Sequence, residues 1–419
     1  MVRIYVTLTI LILTIANVAA QHIDTMTGVF NDNFKSLTIR LDGNQFAPPI
    51  IFLGSDDHLI INFDELAEER SYLRYKVLHC NANWQPSMLV ESEYVDGFNM
   101  AEIEEWDYSR IALTHYINYN IVVPNEDMNF LVSGNYLLQV YNEDDPDTIL
   151  LQVRFMVSEQ TADVSADVLS VTDIDYNDAH QQVSVMVDAT NAHVEDPFND
   201  LMLYVSQNGR LDNEVMVRQP LRTMEKRAYY EHLRPLIFKA GNEYRRIETV
   251  SNIYPGMGVE TIEYFEPFYH ATLQADYPRS ESKYEYDQTQ HGRFFIREYN
   301  SDRSDIEADY IATHFTLVMP ELEGQMVFLD GDFVNRRFDP NSVMTYNRAT
   351  GAYEKTLLLK QGAYNYQYLT VGAGQRNGHT QLIEGDYHET GNEYVVRVYH
   401  RPRGERYDRL IGAPVVQFK

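Results

Sequence analysis

The feature that most constrains this chain is the recurrence of short apolar or alternating segments, each cut off by turn-forming residues, with no long helical periodicity between them. In the first part of the chain they fall at residues 37–41, 59–63, 72–80, 115–123, 136–141 and 149–157. The separators carry turn chemistry: Asp42-Gly43-Asn44, Pro48-Pro49, Pro124-Asn125, Ser133-Gly134-Asn135 and Asp144-Asp145-Pro146-Asp147. Strands at this spacing, joined by turns and not by helices, predict antiparallel sandwiches. Only residues 64–70 and 100–106 look able to form a helical turn or two.

The pattern pauses at a polar break, residues 158–163, and again at a charged stretch, residues 299–309. Between them lie segments at 182–188, 201–206, 245–250, 259–265 and 292–297, with Asn208-Gly209 as a strong hairpin signal. After the second pause come 310–318, 326–329, 353–359, 364–371 and 394–400. The expected fold class is therefore all-β: three immunoglobulin-like or early-set-like β-sandwich domains in series, at 21–158, 159–303 and 304–419.

The N-terminus reads as a targeting segment. Met1-Val2-Arg3, an apolar run over 4–15 and Val18-Ala19-Ala20 have the three regions of a secretory signal peptide, expected at 1–20. The run is short of the roughly 20 apolar residues a membrane span needs. Gln21, not Cys, directly follows the expected cleavage site, so a lipid anchor is not expected, nor is direct membrane insertion. Cys80 is the only cysteine, which removes any internal disulfide framework from an exported chain.

Charge excludes one class of partner. With 62 acidic against 34 basic residues the formal net charge is -28, so attraction to a phosphate backbone is unfavourable over most of the surface and nucleic acid is not expected. The 31 Tyr suit both half-buried strands and contact surfaces.

Catalytic signatures fail at identifiable positions. No Gly-Lys pair exists for a phosphate loop. His388-Glu389-Thr390-Gly391-Asn392 starts like a zinc-protease helix, but Asn392 stands where the second His ligand is needed. Asp173-Ile174-Asp175-Tyr176-Asn177 starts like a calcium loop, with Asp178 in place of the required Gly; an irregular calcium site stays open at this point. His79 and Cys80 are neighbours on a strand, so their side chains point to opposite faces and cannot act as base and nucleophile. No enzyme activity, cofactor or metal site is expected.

Residues 79–99 gather rare ingredients. His79-Cys80-Asn81-Ala82-Asn83-Trp84-Gln85-Pro86-Ser87 holds the lone Cys and one of two Trp, and Glu93-Tyr94-Val95-Asp96-Gly97-Phe98-Asn99 follows. Together with Leu53-Gly54-Ser55-Asp56-Asp57, Thr114-His115-Tyr116, Pro124-Asn125-Glu126-Asp127-Met128, Ser133-Gly134-Asn135-Tyr136-Leu137, His291-Gly292-Arg293-Phe294-Phe295-Ile296-Arg297 and Arg406-Tyr407-Asp408-Arg409-Leu410-Ile411-Gly412, this stretch resembles the Plug protein family of the Bacteroidetes type IX secretion system. The resemblance spans nearly the whole mature chain.

What it implies is a non-enzymatic periplasmic protein, peripheral at the outer membrane, that binds the periplasmic opening of the giant translocon barrel and seals it when no cargo passes. Exchange with a shuttle and cargo complex would displace it. The resemblance names no interface residues. By chemistry alone, Trp84, Tyr94, Phe98 and Trp106 are candidate partner-binding anchors; the competing reading is that they pack onto their own sandwich. The alternative function is a periplasmic glycan-binding protein, motivated by the aromatics of residues 324–371.

Overall fold

The computed structural model describes residues 24–418. The expected signal peptide at 1–20 lies outside them. The regular structure of the described chain is nearly all strand, with short α-helices at Glu91–Tyr94 and Ser304–Glu307. The helical turns expected at 64–70 and 100–106 do not form. Asp64 and Glu65 continue the strand Leu59–Glu65, and Glu105–Tyr108 is a short edge strand. At these lengths pairing with a neighbouring strand outweighs helix propensity, because a helical nucleus is costly.

Three large hydrophobic clusters are each pressed between two sheets. The first lies between a sheet containing Leu73–Cys80, Gly134–Asn142 and Asp145–Ser158 and a sheet containing Phe34–Leu41, Leu59–Glu65 and Ile117–Val123. Alternation explains the facing: Leu73, Tyr75 and Val77 point into this core, while Arg74 and Lys76 lie on the other face. The second cluster is flanked by strands Asp163–Leu169 and His180–Asp188 on one side and Leu201–Gln207 on the other. Asn208 and Gly209 both take positive φ (53° and 70°), and Leu201–Gln207 turns back onto Val215–Val217 as the dipeptide predicts.

The serial arrangement of domains is corrected by the strand pairing. Asn392–His400, assigned from sequence to the third unit, pairs antiparallel with Leu201–Gln207 from Leu201↔His400 to Gln207↔Tyr394, and its Tyr394, Val396 and Val398 sit in the second cluster. The third cluster takes in Ile247, Val259 and Ala271 together with Ile311, Tyr353 and Tyr368, so it also crosses the expected 303/304 boundary. The third sandwich is thus inserted into the second. Its two crossings lie side by side: Thr390 Oγ1 donates to Gly241 O (2.9 Å), and Asn392 Nδ2 donates to Ala240 O (2.8 Å).

The charged stretch 299–309 is not a linker. Arg110 N donates to Ile306 O (2.7 Å), and Leu113 N and Thr114 N donate to the Asp309 carboxylate (3.0 and 3.1 Å), tying it to the first sandwich. Charged composition marks a boundary only when the charges face water, and here Asp309 is buried and Arg303 pairs with Asp107 of the first sandwich (3.2 Å).

Candidate docking site

Residues 79–100 divide into two parts with opposite exposure. The first part faces inward. Trp84 is 5% exposed and packs in a fourth cluster with Cys80, Ala82 and Leu137 of the first sandwich and Tyr204, Val395 and Tyr399 of the second. Its φ of +62° is a left-handed conformation that a bulky residue adopts only where the surroundings hold it. The turn is closed by Trp84 N to Asn81 O and Asn81 N to Gln85 O, both 2.8 Å. The Arg154 guanidinium covers the indole at 4.2 Å.

Around this wedge the motif grips the C-terminal strands. Ala82 N donates to Asp408 Oδ2 (3.0 Å), Arg401 Nη2 to Asn81 Oδ1 (2.9 Å) and Tyr399 Oη to Asn135 Oδ1 (2.6 Å). Arg406 pairs with Glu93, and Arg409 with Glu159 (2.7 Å). Ser133 Oγ accepts from Leu410 N (3.1 Å), so the Ser133-Gly134-Asn135 turn belongs to the same contact.

His79 and Cys80 occupy different surroundings, as alternation requires. The His79 ring meets Tyr94, Tyr136 and Tyr407, whereas Cys80 lies in the fourth cluster. Nε2 of His79 faces the Ser133 carbonyl (3.1 Å), which can only accept, so Nε2 carries the proton and Nδ1 accepts from Ser87 Oγ (2.9 Å). Burial lowers the His79 pKa to about 4 and raises that of the Cys80 thiol to about 12, so both are neutral and unsuited to nucleophilic chemistry.

That depression makes a pH prediction. Between about pH 6.5 and 4 the unfolded His79 binds a proton and the folded one does not, so acid favours unfolding and stability is lost as pH falls through this window. A pKa of about 4 against 6.5 corresponds to about 3 kcal/mol at full expression. Thermal denaturation of wild type and His79→Gln over this range checks it. The variant should be less stable at pH 7 and fall less steeply; parallel slopes would remove His79 from the acid response.

The second part faces outward. Phe98 is 73% exposed, and Met88, Val90 and Met100 are exposed along the same segment. Leu131, also exposed, is brought beside it by its N–H bond to Tyr94 O (3.0 Å). Of the four anchors expected from sequence, Phe98 alone is strongly exposed. Tyr94 is buried, with its hydroxyl donating to Val77 O (3.3 Å). Trp106 is half-buried, with Arg70 over its ring at 4.6 Å and the edge of Tyr108 against it. The partners missed from sequence, Asp408, Arg401 and Tyr399, lie far along the chain. Their only signal was the presence of Arg406 to Gly412 among the recognised motifs.

The features behind the other readings are engaged elsewhere. Asp175 pairs with His180 (2.5 Å), and Asp173 with His232 (2.8 Å). Among the described residues no group of three or more His, Cys, Asp or Glu side chains is placed to hold a metal ion. The aromatics that motivated glycan binding are largely core: Tyr364, Tyr366 and Tyr368 are buried, and the last two donate to Asp276 Oδ2 (2.7 Å each).

Residues 34–159 match the family described as "Type 9 secretion system plug protein 1st domain". A crystal structure of a hypothetical protein from Parabacteroides merdae is 45% identical, covers 94% of this chain and 99% of its own, and superposes with a TM-score of 0.93. The chain belongs to the type IX secretion system plug protein family. The matched region is the sandwich that carries the 79–100 segment, and the grip on strands 392–412 attaches the remainder to it. Two further solved structures share little with the chain: a Pseudomonas fluorescens alkylpurine DNA glycosylase bound to DNA (8% identity, 30% of each chain, TM-score 0.17) and a Corynebacterium diphtheriae protein described as a "Putative membrane anchored protein" (8%, 91% of each chain, TM-score 0.14). No curated protein matches the chain. No described helix is long and apolar enough to cross a membrane.

Proposed function

We propose that this protein is a non-enzymatic periplasmic plug that binds the periplasmic opening of the type IX translocon barrel and seals it between cargo passages. Family membership carries this reading. Three features support it. The sandwiches are cross-braced by buried contacts, which suits a body that must resist being threaded. Negative charge keeps it dispersed when unbound. The segment 88–100 offers apolar side chains to a partner without needing to unfold. Release would follow competition by a shuttle and cargo complex for the same mouth.

Affinity recovery of tagged protein from outer membranes in mild detergent tests the role. The barrel should co-purify with wild type, and cells lacking the protein should take up large polar dyes faster. A full periplasmic pool with no barrel recovered would discard the role itself. Met88→Ser combined with Phe98→Ser should cut recovery at least tenfold with an unchanged melting temperature, since both side chains are exposed. Undiminished recovery would move docking to another face and leave the role standing.

A further inference from the structure

The three sandwiches leave a cavity of about 230 Å³ where they meet. Its walls come from strands Phe34–Leu41, Asp145–Ser158, Phe294–Ile296 and Asn392–His400 and from the Trp84 turn. Part of the lining is apolar, including Ile39, Pro48, Pro49, Val153, Phe294 and Val395.

The rest is unusually basic for so acidic a chain. Arg40 pairs with Asp305 (3.6 Å), Arg293 with Glu393 (2.5 Å), Arg336 with Asp332 (2.6 Å) and Arg397 with Glu214. Arg154 differs from all of them. Among the described residues its guanidinium donates to the carbonyl and hydroxyl oxygens of Thr25 (2.5 Å from Nε and 3.1 Å from Nη2), both neutral. Asp24, the carboxylate whose charge reaches it, is taken by Arg337. The Arg397 guanidinium presses on it from the same cavity, and burial together with that like charge lowers Arg154 to about 9, still protonated at neutral pH. A mostly buried guanidinium whose partners among the described residues are neutral, in a chain where acids outnumber bases, suits an added anion.

We propose that this cavity binds a small amphiphilic anion, its oxyanion head on the Arg154 guanidinium and its apolar body along Pro48, Pro49, Val153 and Phe294. A guanidinium fork suits carboxylate or phosphoryl oxygens, and the Trp84 face beneath it fixes the fork's plane. Because the walls belong to all three sandwiches, the occupant holds them together and stabilises the assembly by mass action.

The test uses purified protein carrying Trp106→Phe, so that Trp84 is the only indole. It is titrated with octanoate, octyl phosphate, octanol and acetate, following Trp84 emission and melting temperature. Octanoate or octyl phosphate should change the emission and raise the melting temperature, with octanol at least tenfold weaker and acetate silent. Whichever anion binds tighter assigns the head group, and either preference supports the site. Arg154→Met should weaken the anions at least tenfold and leave octanol unchanged. Equal binding of octanol and octanoate, no binding of any probe, or undiminished binding to Arg154→Met would overturn the proposal. If Arg154→Met does not fold, the head-group comparison on the Arg154-containing protein decides alone.

Discussion

Replacing Lys360 with methionine is expected to destabilise the protein by about 3–5 kcal/mol, the range found when one partner of a buried ion pair is removed. Lys360 Nζ lies 2.6 Å from Asp64 Oδ2, and the two side chains are 1% and 0% exposed. The pair joins the first sandwich to the third. Burial raises the Asp64 pKa and lowers that of Lys360, and each is opposed by the other's charge. Asp64 also accepts from Tyr310 Oη (2.6 Å) and Asn118 Nδ2 (2.7 Å), while Lys360 donates to Asp305 O (2.6 Å) and lies 4.1 Å from the centre of the Tyr116 ring.

With the cation gone, Asp64 keeps two donors and loses its counter-charge, so it must take up a proton or stay ionised at high cost. Lys360→Met combined with Asp64→Asn should recover most of the loss, because no uncompensated charge remains. Urea denaturation of the four proteins of this cycle measures it. The pair couples two sandwiches, so the variant is also expected to split one transition into two. A loss below about 1 kcal/mol for Lys360→Met would mean that the pair is solvated in solution and does not brace the two sandwiches.

Trp84→Ala is expected to cost about 3–5 kcal/mol, as for other large-to-small changes in a packed core. The side chain fills the junction between first and second sandwiches and supports Arg154. Its removal leaves a void faced by Tyr204, Val395 and Tyr399. Limited proteolysis should then cut near residues 400–408 at protease concentrations that leave wild type intact, and Trp84→Phe should fall between the two. Wild-type resistance in Trp84→Ala would show that the polar grip of Asp408, Arg401 and Tyr399 holds the junction without the wedge.

Much of this was legible locally. The strands Leu73–Cys80, Tyr310–Val318 and Gly362–Gly372 follow runs visible in the sequence, since a period of two and the turn residues beside it act over a few positions. Opposed facing of His79 and Cys80 followed from the same period. The candidate anchors were harder. Trp84 and Tyr94 look like contact residues because aromatics near turns serve both partners and cores, and composition does not say which.

Taken alone, the amino-acid order settled the all-β class, the hairpin at Asn208-Gly209, the lack of a catalytic pair at His79 and Cys80, and the family. Those rest on neighbours in the chain or on motifs read as strings. Which distant strands pair was settled in three dimensions. Asn392–His400 is buried on both faces, one presenting Tyr394, Val396 and Val398 and the other Val395 and Tyr399 with Glu393 and Arg397, and its local pattern does not name the strand it pairs with. Its place beside Leu201–Gln207, against the Trp84 turn, depends on register and burial against segments far away in sequence. The same holds for Asp64 and Lys360, two ordinary charged residues until folding removes both from water.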